Sequence, residues 1–276
     1  ALDRLLTENF PEAASDEYAQ IRKTIRSYLK DAVFMCLPLS ENPNAPAQGA
    51  LAAEIKSSRQ DIREIISTLT IPEVSKSVLI ERKELQKYGG GCHQKIGVSS
   101  FSRKFGEVFY LRGLTDDGKE LDAQLLNKNK VSQPKAEHIT NIFPRENEKL
   151  KFKRESISAP ELSGSNFLVA RTNAWHPNWT TMNLNQIIWA AGIKTFYQLA
   201  AKDQWVSGSS DGLGEDENPN ISILLGEDKP FVKLTHEDSS EIESDLQRIY
   251  TYKISLYADI PDLTQQTHFF WMSCYL

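Results

Sequence analysis

Residues 70–91 of the chain, TIPEVSKSVLIERKELQKYGGG, give the clearest indication of its fold. Thr70 and Glu73 have the spacing of a capping box, and Pro72 lies in the first turn, where its missing N–H group is not needed. The sequence therefore predicts a helix that opens at Thr70 and stops at the glycines. The three glycines lead directly into Cys92, which predicts a tight loop with unusual backbone dihedrals around that thiol.

Helical and strand-like patterns precede this helix. Apolar residues at i, i+3, i+4 and i+7 from Ile62 predict an amphipathic helix over residues 61–69, and the stretch up to Lys30 also has helical spacing. Two short apolar runs, at residues 31–39 and 50–55, are interpreted as strands because turn-forming residues bound them.

Alternating apolar residues follow the glycine loop and predict strands near residues 96–98, 108–114 and 121–125. Asp116-Asp117-Gly118 is a strong hairpin signal between the last two of these strands. We therefore expect residues 50–126 to form a small α+β unit, with the predicted helix packed on an antiparallel sheet.

The second half of the chain has a different pattern. Short apolar segments separated by polar loops, with one helix near residues 195–201, predict an α/β layer with parallel strands. This layer is expected to be partial, because no covering helix follows its last strand. The predicted strands lie at residues 167–170, 187–190, 221–225, 231–234, 250–256 and 268–272. The fold class expected for the whole chain is thus α/β and α+β.

Composition excludes several functional classes. The 276 residues carry 32 basic and 37 acidic side chains, which argues against a general nucleic-acid binder. No apolar run approaches the roughly 20 residues that cross a bilayer, so no membrane partner is expected. The three cysteines, Cys36, Cys92 and Cys274, form neither a disulfide framework nor a zinc-binding pair, so we expect a reducing cytoplasm and no metal.

Cys92 is the candidate reactive residue. It follows a glycine triplet, and basic residues outnumber acidic ones between Lys76 and Lys104; both features favour an exposed thiolate that could attack a carbon atom or hold a covalent group. The alternative is an inert, buried cysteine. His93 is a weak candidate base, because adjacent side chains on an extended segment point to opposite faces.

Three consecutive motifs resemble those of hydroxymethylbilane synthase, also called porphobilinogen deaminase: APAQGAL at residues 45–51, Glu81-Arg82, and GGCHQKIG at residues 90–97. The resemblance implies that Cys92 carries a dipyrromethane cofactor through a thioether, in a loop with Gly90 and Gly91. Porphobilinogen units would be condensed onto this primer with loss of ammonia.

The same resemblance implies the domain organisation of the first half. Residues 1–49 would end the deaminase second domain, and residues 50–130 would form its C-terminal α+β domain. The family's first domain, with its catalytic aspartate, has no counterpart here, so a longer chain could supply the missing deaminase domains. Ala47 stands where the family usually has glycine.

The second half resembles uroporphyrinogen-III synthase through WAAGIKT at residues 189–195 and Thr251-Tyr252-Lys253. Residues 131–165 are rich in Lys, Asn, Ser, Pro and Glu, which predicts a connector between domains with one strand at residues 149–154. Residues 166–276 would be a partial synthase-like domain. The resemblance implies hydroxymethylbilane as substrate, with Thr195 and Tyr252 donating hydrogen bonds from one shared cleft. The structural alternatives are a helix N-cap for Thr195 and a half-buried strand tyrosine for Tyr252.

The leading interpretation is a two-part polypeptide of tetrapyrrole biosynthesis. The alternative is a catalytically silent fragment or interaction module that keeps the folds without the residues that perform the chemistry.

Overall fold

The computed structural model describes residues 15–91, 93–128, 141–143, 152–157, 165–179, 186–214, 230–239, 246–256 and 262–269. The chain divides into two compact units. The three-stranded unit is Leu37–Lys135, and the six-stranded unit combines Ala1–Cys36 with Ala136–Leu276.

The three-stranded unit has two helices followed by an antiparallel meander. The helices are α2 (Gln60–Leu69) and α3 (Pro72–Gln86), and the strands, in the order β1-β2-β3, are β1 (Lys95–Arg103), β2 (Gly106–Leu114) and β3 (Glu120–Lys128). Leu85 and Tyr88 from the end of α3 and the turn after it pack against Ile96, Val98 and Leu111 of the sheet. The helix therefore covers one face of the sheet, and the contact is made by the apolar residues at its carboxyl end.

The β2–β3 connection is a tight hairpin. Gly118 has a φ of 82°, a conformation that glycine adopts without steric cost. The Thr115 N–H donates to the carbonyl of Lys119 at 3.0 Å, and the Thr115 hydroxyl donates to the Asp117 carboxylate. The Asp-Gly signal thus fixes the register of these two strands.

The six-stranded unit contains a mostly parallel sheet. Its strand order is β5-β10-β9-β6-β7-β8, and only the edge strand β5 runs antiparallel to its neighbour. The helix α4 (Ile193–Ala200) follows β7, and α1 (Asp16–Leu29) belongs to the same unit. The strands are β5 (Phe152–Ser156), β6 (Asn166–Val169), β7 (Ile188–Ala190), β8 (Gly208–Ser209), β9 (Phe231–His236) and β10 (Gln247–Leu256). This mixed architecture confirms the predicted α/β and α+β class at the level of the whole chain.

The core of the six-stranded unit lies between the sheet and its covering helix. Val169, Leu199 and Leu234 are fully buried there together with Phe196 and Tyr252. A second cluster forms around Leu168, Ile187 and Trp189. The strands β6 and β7 are buried along their whole length, because the two clusters pack on opposite faces of this part of the sheet.

Two predicted strands are wrong. Residues 50–55 form no strand, and Leu51 is fully exposed. Residues 32–38 also form no strand, although Phe34 and Cys36 pack against the Trp189 cluster. The Cys36 N–H donates to the carbonyl of Ser207 at 2.7 Å, so this apolar run is held by side-chain burial and one backbone bond without joining a β-ladder.

The predicted helix cap is also wrong. The N-cap of α3 is Ile71, which makes no side-chain cap hydrogen bond. Thr70 instead caps the end of α2, and its hydroxyl donates to the carbonyl of Ile66 at 3.0 Å. The two helices are too close in sequence for Thr70 to serve both of them.

The observed division differs from the predicted boundaries. It falls after Cys36 and Lys135, whereas the sequence predicted divisions at residues 49/50 and 130/131. The strand predicted within the connector at residues 149–154 is observed as β5, which covers residues 152–156 and extends the large sheet. The assignment of these segments to particular deaminase and synthase domains stays a prediction.

The last described strand does not join the large sheet. β11 (His268–Phe269) pairs in parallel with β4 (Ile142–Phe143) in a separate two-stranded sheet. The predicted strand at residues 221–225 and the end of the one at 268–272 lie outside the described residues. None of the described helices is long and apolar enough to span a bilayer.

Candidate functional site

The three deaminase-like motifs belong to one unit, and Glu81 of α3 links the first of them to strand β1. Its Oε2 atom accepts the N–H of Ala47 at 2.8 Å, and its Oε1 atom accepts the N–H of Ser100 at 2.9 Å. A single carboxylate therefore ties the 45–51 loop to the sheet that follows the glycine loop. Charge-assisted bonds of this kind are stronger than bonds between neutral groups.

The 45–51 loop is a tight turn. The N–H of Gln48 donates to the carbonyl of Ala45, and the N–H of Ala50 donates to that of Ala47. Ala47 has a φ of 63° and Gly49 a φ of 81°. The loop thus keeps a left-handed conformation at Ala47, although alanine adopts it less readily than glycine does.

Strand β1 is approached closely by the chain that precedes this loop. The Val98 N–H donates to the carbonyl of Asn44 at 2.8 Å, and the Asn44 N–H donates to the Ser99 hydroxyl at 2.9 Å. A β-carbon at Gly97 would lie 2.4 Å from the carbonyl oxygen of Pro43. Only glycine fits at this position, because the opposing atom is backbone.

The glycine triplet has the backbone that the sequence predicted. Gly89, Gly90 and Gly91 have φ values of 98°, 67° and 106°. The Gly90 N–H donates back to the carbonyl of Leu85, and the Gln94 side chain donates to the carbonyl of Tyr88 at 2.5 Å. The turn that ends α3 is therefore closed by hydrogen bonds on both sides.

The predicted cofactor-bearing residue, Cys92, lies outside the described residues. Its neighbours Gly91 and His93 are exposed. A β-carbon at Gly91 would lie 3.0 Å from the Cε1 atom of His93, whereas nothing lies within 4 Å of one at Gly90. The loop is thus open beside Gly90 and crowded beside Gly91.

A cleft of about 440 Å³ lies between the 45–51 loop, α3 and the end of β1. Glu81 and Arg103 line it from opposite elements. The Arg103 guanidinium lies 4.3 Å from the centre of the Phe101 ring, and burial lowers the pKa of this group. The cleft therefore has an apolar wall with a cation held on an aromatic face.

The basic excess that surrounds Cys92 in sequence is partly neutralised. The Nζ of Lys76 lies 2.6 Å from the Glu107 carboxylate, and the Nζ of Lys87 lies 2.6 Å from that of Glu84. The Lys76 ammonium lowers the pKa of the Glu107 carboxyl, and the Ser102 hydroxyl adds to this effect. Lys95, next to the loop, is exposed.

The two residues predicted for the second half are buried. Thr195 lies in the first turn of α4 and is 8% exposed, but the N-cap of that helix is Gly192. The N-cap alternative for Thr195 is therefore wrong. Tyr252 on β10 is 1% exposed, which is a deeper burial than the half-buried alternative.

The structure does not join these two hydroxyls by a hydrogen bond. The Tyr252 hydroxyl has no hydrogen-bond partner among the described residues. Burial raises the pKa of this phenol, and the charges of Arg171 and Arg154 act in the opposite direction. The roles of Thr195 and Tyr252 as donors in one cleft stay predictions.

The sequence did not predict several of the groups that shape the two units. Glu81 was recognised as part of a motif, but its link between the 45–51 loop and β1 spans 34 and 19 residues and has no local pattern. Gly97 did have a signal, since a glycine within a strand often marks close backbone approach. Arg154, Arg171 and His236 come from separate segments, so no spacing in the sequence connects them with Tyr252.

Curated proteins similar to this chain carry the name porphobilinogen deaminase. The protein of Listeria welshimeri is 36% identical over 98 residues, which cover 34% of this chain and 29% of that protein. That of Fusobacterium nucleatum is 29% identical over 152 residues, covering 51% of this chain and 47% of its own length. That of Clostridioides difficile is 34% identical over 95 residues, which cover 34% of this chain and 31% of that protein.

The chain thus spans between about three tenths and a half of the length of these relatives. No protein-family model matches it, and no solved structure matches it significantly.

Proposed function

We propose that the chain provides the cofactor-bearing C-terminal region of a hydroxymethylbilane synthase and so takes part in tetrapyrrole biosynthesis. The observation that carries this proposal is the Glu81 carboxylate, which links the first motif to the strand that begins in the third. Partial similarity to porphobilinogen deaminases of three genera supports the same assignment.

The residues near the loop fit a dipyrromethane held on Cys92. Open space lies beside Gly90, and the positive φ values of the triplet let the backbone turn sharply next to the attachment point. Lys95 is exposed at the base of the loop, where an ammonium could pair with a pyrrole carboxylate. Bound dipyrromethane would supply the free pyrrole position to which porphobilinogen is joined as ammonia leaves.

The rest of the deaminase would come from elsewhere. The relatives extend well beyond the matched segments, and the resemblance implies a catalytic aspartate in the first domain of the family. We therefore propose the missing deaminase domains as the partner of the three-stranded unit, with porphobilinogen as the shared substrate.

For the six-stranded unit we propose a uroporphyrinogen-III synthase-like role with hydroxymethylbilane as substrate. Its parallel strands, and the β7–Gly192–α4 connection at their carboxyl edge, support this proposal, since ligand crevices gather at such edges. Thr195 and Tyr252 would be hydrogen-bond donors. The test is the ratio of type III to spontaneous type I uroporphyrinogen: exclusive formation of type I by the unsubstituted chain would refute a working synthase.

The second candidate function is a catalytically silent interaction module. The observation that favours it is the pairing of basic side chains in this unit, since Lys76 binds Glu107 and Lys87 binds Glu84, which leaves fewer cations for the carboxylates of a pyrrole. A module of this kind would keep the Glu81 link and the sheet but leave the Cys92 thiol free.

Mass spectrometry of the native chain, purified from cells that make porphobilinogen, separates these two functions. We expect an adduct of dipyrromethane size on the Cys92 peptide and its loss in Cys92→Ser. Cys36→Ser is the matched control and should keep the adduct, because Cys36 is half-buried and burial raises the pKa of its thiol. A free Cys92 thiol in the native chain would support the silent module.

A further inference from the structure

The hydroxyl of Tyr252 is an unexplained polar group in the core of the six-stranded unit. The side chain is 1% exposed, and its oxygen has no hydrogen-bond partner among the described residues. Leaving a buried hydroxyl unpaired costs free energy, so native structures generally provide an acceptor for it.

Basic and titratable groups surround this phenol. Ile254, two residues along β10, pairs directly with Arg154 of β5, and alternation along the strand therefore places Arg154 on the same face as Tyr252. The His236 ring contacts the Tyr252 ring edge-on, with centroids 5.7 Å apart.

Arg171 approaches the same face from the carboxyl end of β6. It precedes a short 3₁₀ turn, Thr172–Ala174, and this turn contacts β5, β9 and β10. The charges of Arg171 and Arg154 are among the causes that shift the pKa of Tyr252 and of His236, which agrees with the placement of the two arginines by strand register and by the 3₁₀ turn.

Among the described side chains, no carboxylate forms an ion pair with Arg154 or Arg171. The nearby Glu155 lies on the opposite face of the strand pair, where it binds Lys153 at 2.5 Å and Lys253 at 3.4 Å. Two exposed acidic residues, Glu237 and Asp238, follow β9 at this end. Asp238 acts on His236, and the Glu237 N–H donates to the carbonyl of Tyr252 at 3.1 Å.

We propose that Arg154, Arg171 and Tyr252 form an oxyanion subsite that takes a carboxylate group of a small molecule. The planar N–H groups of an arginine guanidinium match the two oxygen atoms of a carboxylate. A carboxylate oxygen bound here would also give the phenol O–H the acceptor that it lacks. The position agrees with the general rule that ligands bind at the carboxyl ends of parallel strands. The subsite uses the Tyr252 hydroxyl that the synthase-like role also uses, so it deepens that proposed role. It does not depend on the Cys92 cofactor, and binding of a carboxylate can be measured in a chain that forms no type III product.

The test is a titration of the full isotope-labelled chain with succinate at constant ionic strength, followed by amide NMR, with inorganic phosphate as a parallel probe. We expect succinate to shift amide signals of β5, β9 and β10 with a measurable Kd. Arg154→Gln and Arg171→Gln should each weaken binding about tenfold, and Tyr252→Phe severalfold. Phosphate binding without succinate binding would overturn the carboxylate assignment.

Lys253→Gln is the matched control, because Lys253 carries the same charge on the opposite face and is paired with Glu155. It should leave the succinate Kd unchanged. Arg154→Lys and Arg171→Lys keep the charge without the fork and should bind with intermediate affinity, which separates recognition from a loss of folding. Wild-type affinity in both glutamine variants would overturn the proposal.

Discussion

At the residue scale, Ala47 shows a conflict between side chain and backbone. Its φ of 63° belongs to the left-handed region, where a β-carbon meets the following carbonyl oxygen. The conformation persists because the Ala47 N–H is held by the Glu81 carboxylate at 2.8 Å. The loop geometry is therefore imposed by the contact with α3 and not by the residue itself.

Replacing Ala47 with glycine should stabilise the three-stranded unit slightly. Relief of the left-handed conformation gains about 1–2 kcal/mol, and the greater freedom of glycine in the unfolded chain offsets about 0.4–1 kcal/mol of it. We expect a higher urea midpoint by circular dichroism for Ala47→Gly. A lower midpoint would show that the methyl group makes a favourable contact.

A second residue-scale prediction concerns Gly97. Its substitution by alanine would push a β-carbon to 2.4 Å from the Pro43 carbonyl oxygen, and forced backbone shifts of this kind cost about 1–3 kcal/mol. We expect Gly97→Ala to lower the thermal midpoint of unfolding. Gly192→Ser is the control, because its β-carbon would lie 3.7 Å from the nearest atom, an ordinary contact, and serine caps a helix at least as well as the glycine that caps α4. Equal stability of the two variants would contradict the close approach.

At the element scale, α3 connects the parts of the three-stranded unit. Its carboxyl end packs on the sheet through Leu85 and Tyr88, and one turn earlier Glu81 holds two backbone N–H groups. No side chain of α3 is fully buried. The polar link therefore accounts for much of how α3 is positioned.

Glu81→Gln should destabilise this unit. An amide has one acceptor oxygen, so one of the two N–H groups, at Ala47 or Ser100, would lose its partner, at a cost of about 1–3 kcal/mol. Urea unfolding followed by circular dichroism measures the change. Lys83→Gln, an exposed substitution on the same helix, should stay within about 0.5 kcal/mol of the wild type. An unaltered midpoint for Glu81→Gln would mean that the carboxylate does not position the loop.

At the scale of the whole molecule, His236 makes the stability of the six-stranded unit dependent on pH. Burial lowers the pKa of His236 below its ordinary value of 6.5, and Asp238 opposes this only in part. The neutral imidazole is therefore the form that the folded six-stranded unit favours. Its contribution to stability is fully present above pH 6.5 and is lost as the pH falls through the lowered pKa.

Tryptophan fluorescence can follow this unit selectively, because all five tryptophans lie within Ala136–Leu276. We expect the urea concentration at the unfolding midpoint, followed by this signal, to decrease as the pH is lowered from about 7.5 to about 5.5. His236→Asn should flatten the dependence, because the substituted side chain does not titrate in this range. The same slope in both chains would assign the effect to another group.

The amino-acid sequence by itself determined the local elements of this protein. The helices at Gln60–Leu69 and Pro72–Gln86, the Asp117-Gly118 hairpin and the positive φ values of the glycine triplet all follow from short-range chemistry. Residue spacing, proline geometry and the freedom of glycine act within a few neighbours. The resemblance of residues 45–51, 81–82 and 90–97 to deaminase motifs likewise depends only on the order of amino acids in the sequence.

Only the tertiary structure decided which distant residues meet. The apolar run at residues 31–39 could pack as a strand or as an irregular segment, and the Trp189 cluster determined the second outcome. Thr70 lies between two helices and could cap either of them. In the structure its hydroxyl donates to the carbonyl of Ile66 at the end of α2. The bonds of Glu81 to Ala47 and Ser100, and the arginines beside Tyr252, join residues far apart in the chain. Such contacts depend on how the strands and helices pack, which the spacing of residues in the sequence does not encode.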